Sequence, residues 1–156
     1  MKIRTTQELL REHLFASDLT DAQVAFMTGC MKNVRYRAGA YLFHEGQQAS
    51  DFILLRSGKV SLEVRKPGGG AVQLETVSAG GVLGWSVLFP PYVWHIDGRA
   101  VEQTLALLFD GECLRNRMTQ DTEFAYAITR RMLFEVHRRL ERVRLQQADV
   151  YRSTAQ

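Results

Sequence analysis

From Val34 to Asp110 the apolar runs are strand-length, and glycine or another turn-forming residue separates them. This punctuation constrains the fold more than any other feature, because an amphipathic helix needs a longer uninterrupted stretch with a 3.6-residue period. Tyr41, Leu42 and Phe43 run into His44-Glu45-Gly46, and Asp51 leads into Phe52, Ile53, Leu54 and Leu55. Arg56-Ser57-Gly58-Lys59 reads as a hairpin turn, since glycine takes a positive φ without steric cost. Val60, Leu62 and Val64 alternate with polar residues, as in a half-buried strand. Pro67-Gly68-Gly69-Gly70 reads as a hairpin loop, with Val72, Leu74 and Val77 on the next strand. Short strands with regular turns predict an antiparallel β-barrel or β-roll.

Helical signals flank this region. Thr5 with Glu8, and Thr20 with Gln23, have capping-box spacing. Leu9, Leu10 and Leu14 then form an apolar face, and Val24, Phe26, Met27 and Met31 are placed on a second helix of about three turns. Glu112 to Met118 reads as a short helix. Thr119 or Asp121 then caps a long one, from Thr122 to Tyr151, free of glycine and proline. Along it Leu133, Val136, Leu140, Val143, Gln147 and Val150 are spaced alternately by three and four, a coiled-coil seam with one polar member. The expected architecture is α+β but mainly β. A double-stranded antiparallel, jelly-roll-like β-roll (34–110) lies between N-terminal helices (1–33) and C-terminal helices (111–152), all in one domain.

The 156 residues suffice for one hydrophobic core. No apolar run is long enough for a signal-peptide core or a membrane span, so a cytoplasmic location without membrane attachment is expected. Cys30 and Cys113 lie far apart without CxxC spacing, and two buried, reduced thiols are expected. The net charge of +3 concentrates in the long helix, around Arg130, Arg131, Arg138, Arg139, Arg142 and Arg144. Arginines flanking an apolar seam read as a solvated coiled-coil flank rather than a nucleic-acid surface.

The order helix, β-roll, long helix, together with Gly39, Glu45-Gly46, Asp51 and Gly58, resembles the cyclic-nucleotide-binding family, which includes the catabolite-activator proteins. Leu74 to Gly84, with Gly80 and Gly84, resembles the lead-in to that family's phosphate cassette. Arg99-Ala100, then Leu105 to Phe109 and Asp110, resembles its last roll strands. The resemblance implies a pocket between roll and C-terminal helix for one phosphate anion and a ribose hydroxyl. Such a ligand needs helix N-terminal N–H groups, a carboxylate for the hydroxyl and a forked arginine for the phosphate.

Here the cassette reads Leu83-Gly84-Trp85-Ser86-Val87-Leu88-Phe89-Pro90-Pro91-Tyr92-Val93-Trp94-His95. Gly84 and the helix start are present, but Trp85 stands where the family has glutamate. Anchoring on Asp110 puts Arg99 at the family's second basic position and Trp94 near its phosphate-pairing arginine. A buried phosphate without a cation is costly. The cassette therefore reads as degenerate, suited to an apolar or planar ligand held by a few polar groups. The candidate ligand-binding residues are Gly84, Trp85, Ser86, Trp94, His95 and Arg99.

The functional expectation is a non-enzymatic ligand-sensing regulatory module that binds a non-standard small molecule. It would act as a homodimer through Leu133, Val136, Leu140 and Val143, and pass its state to an unknown protein partner. Two alternatives stay open: a ligand-free dimeric adaptor whose aromatic residues fill the old pocket, and a cyclic AMP or cyclic GMP receptor using Arg99. No cofactor is expected. His44, His95, His137 and the cysteines lack metal-ligand spacing, so neither metal nor haem is expected. Ser86, His95 and Asp97 match no nucleophile motif. Only Arg152 to Gln156 follow the long helix, too few for a helix-turn-helix, and no sequence-specific DNA binding is expected.

Overall fold

The structure is a computed structural model and describes residues 3–155. Both capping boxes form. Thr5 opens α1 (Thr6–Arg11) and Thr20 opens α2 (Asp21–Gly29), each with the reciprocal hydrogen bonds that satisfy free N–H groups of the first turn. A single 3-10 turn, Leu14–Ala16, lies between them. The second helix is shorter than its sequence suggests: it stops at Gly29, and Met31 opens the first strand instead of closing the helix.

Eight strands follow: β1 (Met31–Tyr36), β2 (Tyr41–Phe43), β3 (Asp51–Ser57), β4 (Lys59–Arg65), β5 (Ala71–Ser78), β6 (Val82–Leu83), β7 (Asp97–Ala100) and β8 (Thr104–Asp110). They form two antiparallel four-stranded sheets, ordered β1-β8-β3-β6 and β2-β7-β4-β5. This is the expected β-roll. The run Phe52 to Leu55 is buried throughout because β3 is covered on both faces, which removes the polar alternation of a half-exposed strand.

The turn at Gly58 is not a hairpin. β3 pairs with β6 and β8, whereas β4 pairs with β5 and β7, so Ser57-Gly58-Lys59 is a corner between the two sheets. Gly58 has φ +88°. A Cβ there would run into the backbone of Gln103 and Thr104, so the corner requires glycine on two counts. The loop at Gly68 to Gly70 does close a hairpin, between β4 and β5.

That hairpin carries one irregularity. Leu62 pairs with Glu75 but Glu63 pairs with Gln73, leaving Leu74 as the extra residue of a bulge. The bulge accounts for the odd spacing of Val72 and Val77, each of which pairs with a valine of β4. Gln73 and Thr76, three apart, hydrogen-bond to each other through their side chains. Glu75 therefore faces the same side as Val72 and Val77.

Two helices complete the chain: α3 (Gly111–Gln120), capped by Asp110, and α4 (Thr122–Thr154), capped by Asp121. Phe124, Ile128 and Met132 anchor the start of α4 in the core. Farther along, Leu133, Val136, Leu140, Val143 and Val150 are exposed. The expectation of two reduced thiols is overturned: Cys30 and Cys113 are joined by a disulfide, with Cα atoms 6.1 Å apart. The fold supplies this proximity, because β1 pairs with β8 and the Asp110 N–H donates to the Cys30 carbonyl at 3.0 Å. Cys113, in the first turn of α3, is thereby carried to Cys30.

Candidate functional site

Gly84 turns the chain with φ +92° into the expected short cassette helix, a four-residue 3-10 turn, Trp85–Leu88. Trp94 lies directly over this start. A Cβ on Gly84 would stand 3.0 Å from the indole Cη2 and 2.7 Å from the Asp51 carbonyl. The other aromatic partner is Phe43, stacked on Trp94 with ring centroids 3.6 Å apart and planes 5° from parallel. Phe43 in turn leans on Gly98, where any side chain would collide with its ring. The Trp94 backbone is held between Gly46 and Gln47: its carbonyl accepts from the Gly46 N–H at 2.8 Å, and its N–H donates to the Gln47 carbonyl at 2.9 Å. The space beside the Gly84 turn is therefore filled by two buried rings.

Arg99 does not reach this space. Opposite Ser61 in β4, it lies on the face away from the core, hydrogen-bonded to Glu63 Oε1 from Nε (3.1 Å) and Nη2 (2.7 Å). That bond holds the buried Glu63 carboxyl below its ordinary value, against the upward push of burial. On the same face Asp97 accepts from the Glu45 N–H (2.7 Å) and from Arg65 Nε (2.9 Å). Burial pushes the Asp97 carboxyl up, but these partners outweigh it and the net shift is downward. Arg99 thus belongs to a ladder of charges that ties β7 to β4. His95 is exposed and Ser86 half-buried; neither lines the cavity described next.

A cavity of about 590 Å³ opens between β5, the Gly84 turn and α4. Its apolar wall includes Leu62, Leu74, Val77, Val82 and Ile96, and its polar wall comes mainly from α4: Glu135, Arg138, Arg139 and Arg142. Of the expected ligand residues only Trp85 lines it; the Arg139 guanidinium lies 4.4 Å over that indole. Glu75, on the same face of β5 as Val77, lies 3.0 Å from Arg139 Nε and 2.8 Å from Arg142 Nη2. Glu135 is shared by Arg131 (3.7 Å) and Arg138 (4.0 Å). The sequence pattern predicts a solvated flank for these arginines, whereas Arg138, Arg139 and Arg142 line the cavity. The missed signal is their spacing: 135, 138, 139 and 142 form one helical face beside the apolar seam.

The Gly84 turn also touches α3. Arg115 Nη1 donates to the Val87 carbonyl at 2.6 Å, and its guanidinium lies 4.3 Å over the Tyr92 ring. The turn, α3 and α4 are thus linked through direct contacts. Among the described residues no helix is long and apolar enough to cross a membrane, and no group of three or more His, Cys, Asp or Glu is placed to hold a metal ion.

Two facing antiparallel sheets, a glycine turn into a short helical segment and a long C-terminal helix over the opening define a ligand-sensing β-roll. The chain belongs to the cyclic nucleotide-binding domain family, whose model matches residues 33–121, more than half its length. It is similar to a protein of Geobacter metallireducens GS-15 described as cyclic nucleotide-binding (TM-score 0.77, 23% identity, 88% of this chain and 99% of that one). It is also similar to the N-terminal domain of a transcriptional regulator from Streptomyces coelicolor A3(2), with TM-score 0.66 and 27% identity over 89% of this chain and 94% of that one. The sensor domain of the transcriptional regulator DNR from Pseudomonas aeruginosa gives 0.69 and 24%, over 86% and 91% of the two chains. No curated protein sequence matches the chain.

Proposed function

We propose that this chain is a non-enzymatic, ligand-sensing regulatory module whose specificity has moved away from cyclic nucleotides. One observation carries the reading: Trp94, stacked on Phe43, occupies the space beside Gly84, and the nearby Arg99 is committed to Glu63. A phosphate placed there would meet two aromatic rings and no free forked cation. The ligand is a non-standard small molecule in the cavity under α4, where Trp85 supplies an aromatic wall.

The module works as a homodimer through Leu133, Val136, Leu140 and Val143. These exposed residues lie on the same helix as the cavity arginines, so a change in how the cavity holds α4 moves the seam with it. Its output goes to a protein partner. We place it in the cytoplasm; thiols there are kept reduced, so the Cys30–Cys113 bond closes only when that compartment turns oxidising. The Phe43–Trp94 stack also supports a second reading, a dimeric adaptor with a closed pocket.

Thermal unfolding with and without millimolar cyclic AMP and cyclic GMP tests the change of specificity. No shift is expected for either. A ligand at one hundred times its dissociation constant would add about 2.7 kcal/mol. A shift of that order, lost on Arg99→Gln, would overturn the reading in favour of a cyclic-nucleotide receptor that breaks the Arg99–Glu63 pair.

A further inference from the structure

The cavity under α4 has an imbalance that the proposed function does not need. Arg139 and Arg142 share one carboxylate, Glu75. The other cavity carboxylate, Glu135, is already shared by Arg131 and Arg138. Arg139 is the most constrained of the group. Its side chain is 19% exposed, with the guanidinium carbon 4.4 Å from the centroid of the Trp85 ring. Its buried Nε–H makes no hydrogen bond among the described residues, although Glu75 Oε2 is 3.0 Å away. Burial lowers its pKa, Glu75 opposes that shift, and Arg142 adds repulsion. A guanidinium held in this way lacks an acceptor in the plane of its fork.

We propose that the cavity takes a small aromatic monocarboxylate, whose carboxylate displaces Glu75 from Arg139 and Arg142 while its ring lies on the apolar wall beside Trp85. This rests on the ligand-sensing reading and names the ligand's class. Four guanidiniums, those of Arg131, Arg138, Arg139 and Arg142, share the two carboxylates Glu75 and Glu135, and this excess of positive charge favours an anion. The forked geometry suits a planar carboxylate. Leu62, Val77 and Ile96 suit an apolar ring, and about 590 Å³ falls within the roughly 300–1,000 Å³ typical of small-molecule sites.

Glu75 reaches the cavity by plain strand alternation, two residues before Val77 and opposite Leu62, both of which line the same cavity. Glu75 then acts as an internal stand-in for the ligand's carboxylate. It ties β5 to α4 when the cavity is empty, and its displacement frees the hairpin from the helix.

Isothermal titration of the full chain with 2-naphthoate and indole-3-carboxylate, each beside its primary amide, tests the inference. Each acid is expected to bind at least tenfold more tightly than its amide. Arg139→Gln and the more exposed Arg142→Gln should each abolish that preference, with the fold checked by circular dichroism. Glu75→Gln is expected to act oppositely on two readouts, tightening acid binding about tenfold while lowering the thermal midpoint of the free protein. A purely structural latch would lose stability without gaining affinity, and that result overturns the proposal. If acids and amides bind alike, and Leu74→Trp abolishes both, anion recognition is overturned while the ligand-sensing reading stands. If neither acid nor amide binds at millimolar concentration, both give way to the closed-pocket adaptor.

Discussion

His13 precedes the 3-10 turn at Leu14–Ala16 and is 5% exposed, and its Nδ1 accepts the Phe15 N–H at 3.1 Å. That bond requires an unprotonated nitrogen. Burial lowers the ring's pKa, Arg131 adds repulsion, and the carbonyls of Gly81 and Leu55 oppose the shift without reversing it. In the unfolded chain the ring titrates near its ordinary value of about 6.5. The unfolded state therefore binds the proton first as pH falls. The stability contributed by the neutral ring is complete above about pH 6.5 and is lost as pH drops toward the lower folded value. The urea midpoint should fall between pH 7.5 and 5.5, and His13→Asn, which keeps an acceptor for Phe15, should remove His13's share of that fall. None of this was legible in the sequence, where His13 is one polar residue after a short apolar helix. Trp94 and Arg99 were partly legible: alignment on Asp110 put the indole where an arginine was expected. Only three dimensions show Trp94 packed on Phe43, a residue 51 positions earlier, and Arg99 committed to Glu63.

At the scale of elements, local signals translated well and pairing signals did not. The capping boxes at Thr5 and Thr20, the Gly68 to Gly70 loop and the glycine-free run of α4 are written in neighbouring residues, and all formed. The corner at Gly58 looked like a hairpin because a positive-φ glycine between two strands is common to both; strand partners decide between them, and those are set by tertiary packing. The bulge at Leu74 was hidden for the same reason. Cys30 and Cys113 look unrelated until β1 pairs with β8. Their bond spans a sequence separation of 83 residues. In the chain-entropy model a loop of that size contributes about 4.5 kcal/mol by restricting the unfolded state. A denaturant titration of the oxidised protein should therefore lose stability of that order on adding dithiothreitol, whereas Cys113→Ser should start at the lower value and ignore the reductant.

At the scale of the molecule, α4 joins three roles in one rod. Phe124, Ile128 and Met132 fix its base, Arg139 and Arg142 wall the cavity, Leu133 and Leu140 face outward, and Val143 lies at the boundary, half-exposed and lining the cavity. Helical geometry interleaves the cavity and outward sets, so the helix cannot turn for one without turning for the other. Leu140→Asp should give a monomer of 17.8 kDa in light scattering where the parent gives twice that mass, and a parent that is already monomeric would sink the dimer. The exposed apolar stripe was legible from its three-four spacing, whereas the cavity face beside it was not, since its arginines acquire an inward role only when β5 presents Glu75.

The Cys30–Cys113 bond also changes what kind of object the chain is. All eight strands lie between the two cysteines. The roll is therefore a covalent ring with two helical tails, not simply a folded thread. A backbone break at the Gly68 to Gly70 tip would open the ring and still leave one molecule, with both ends of the cut and both tails held together by a single sulfur–sulfur link.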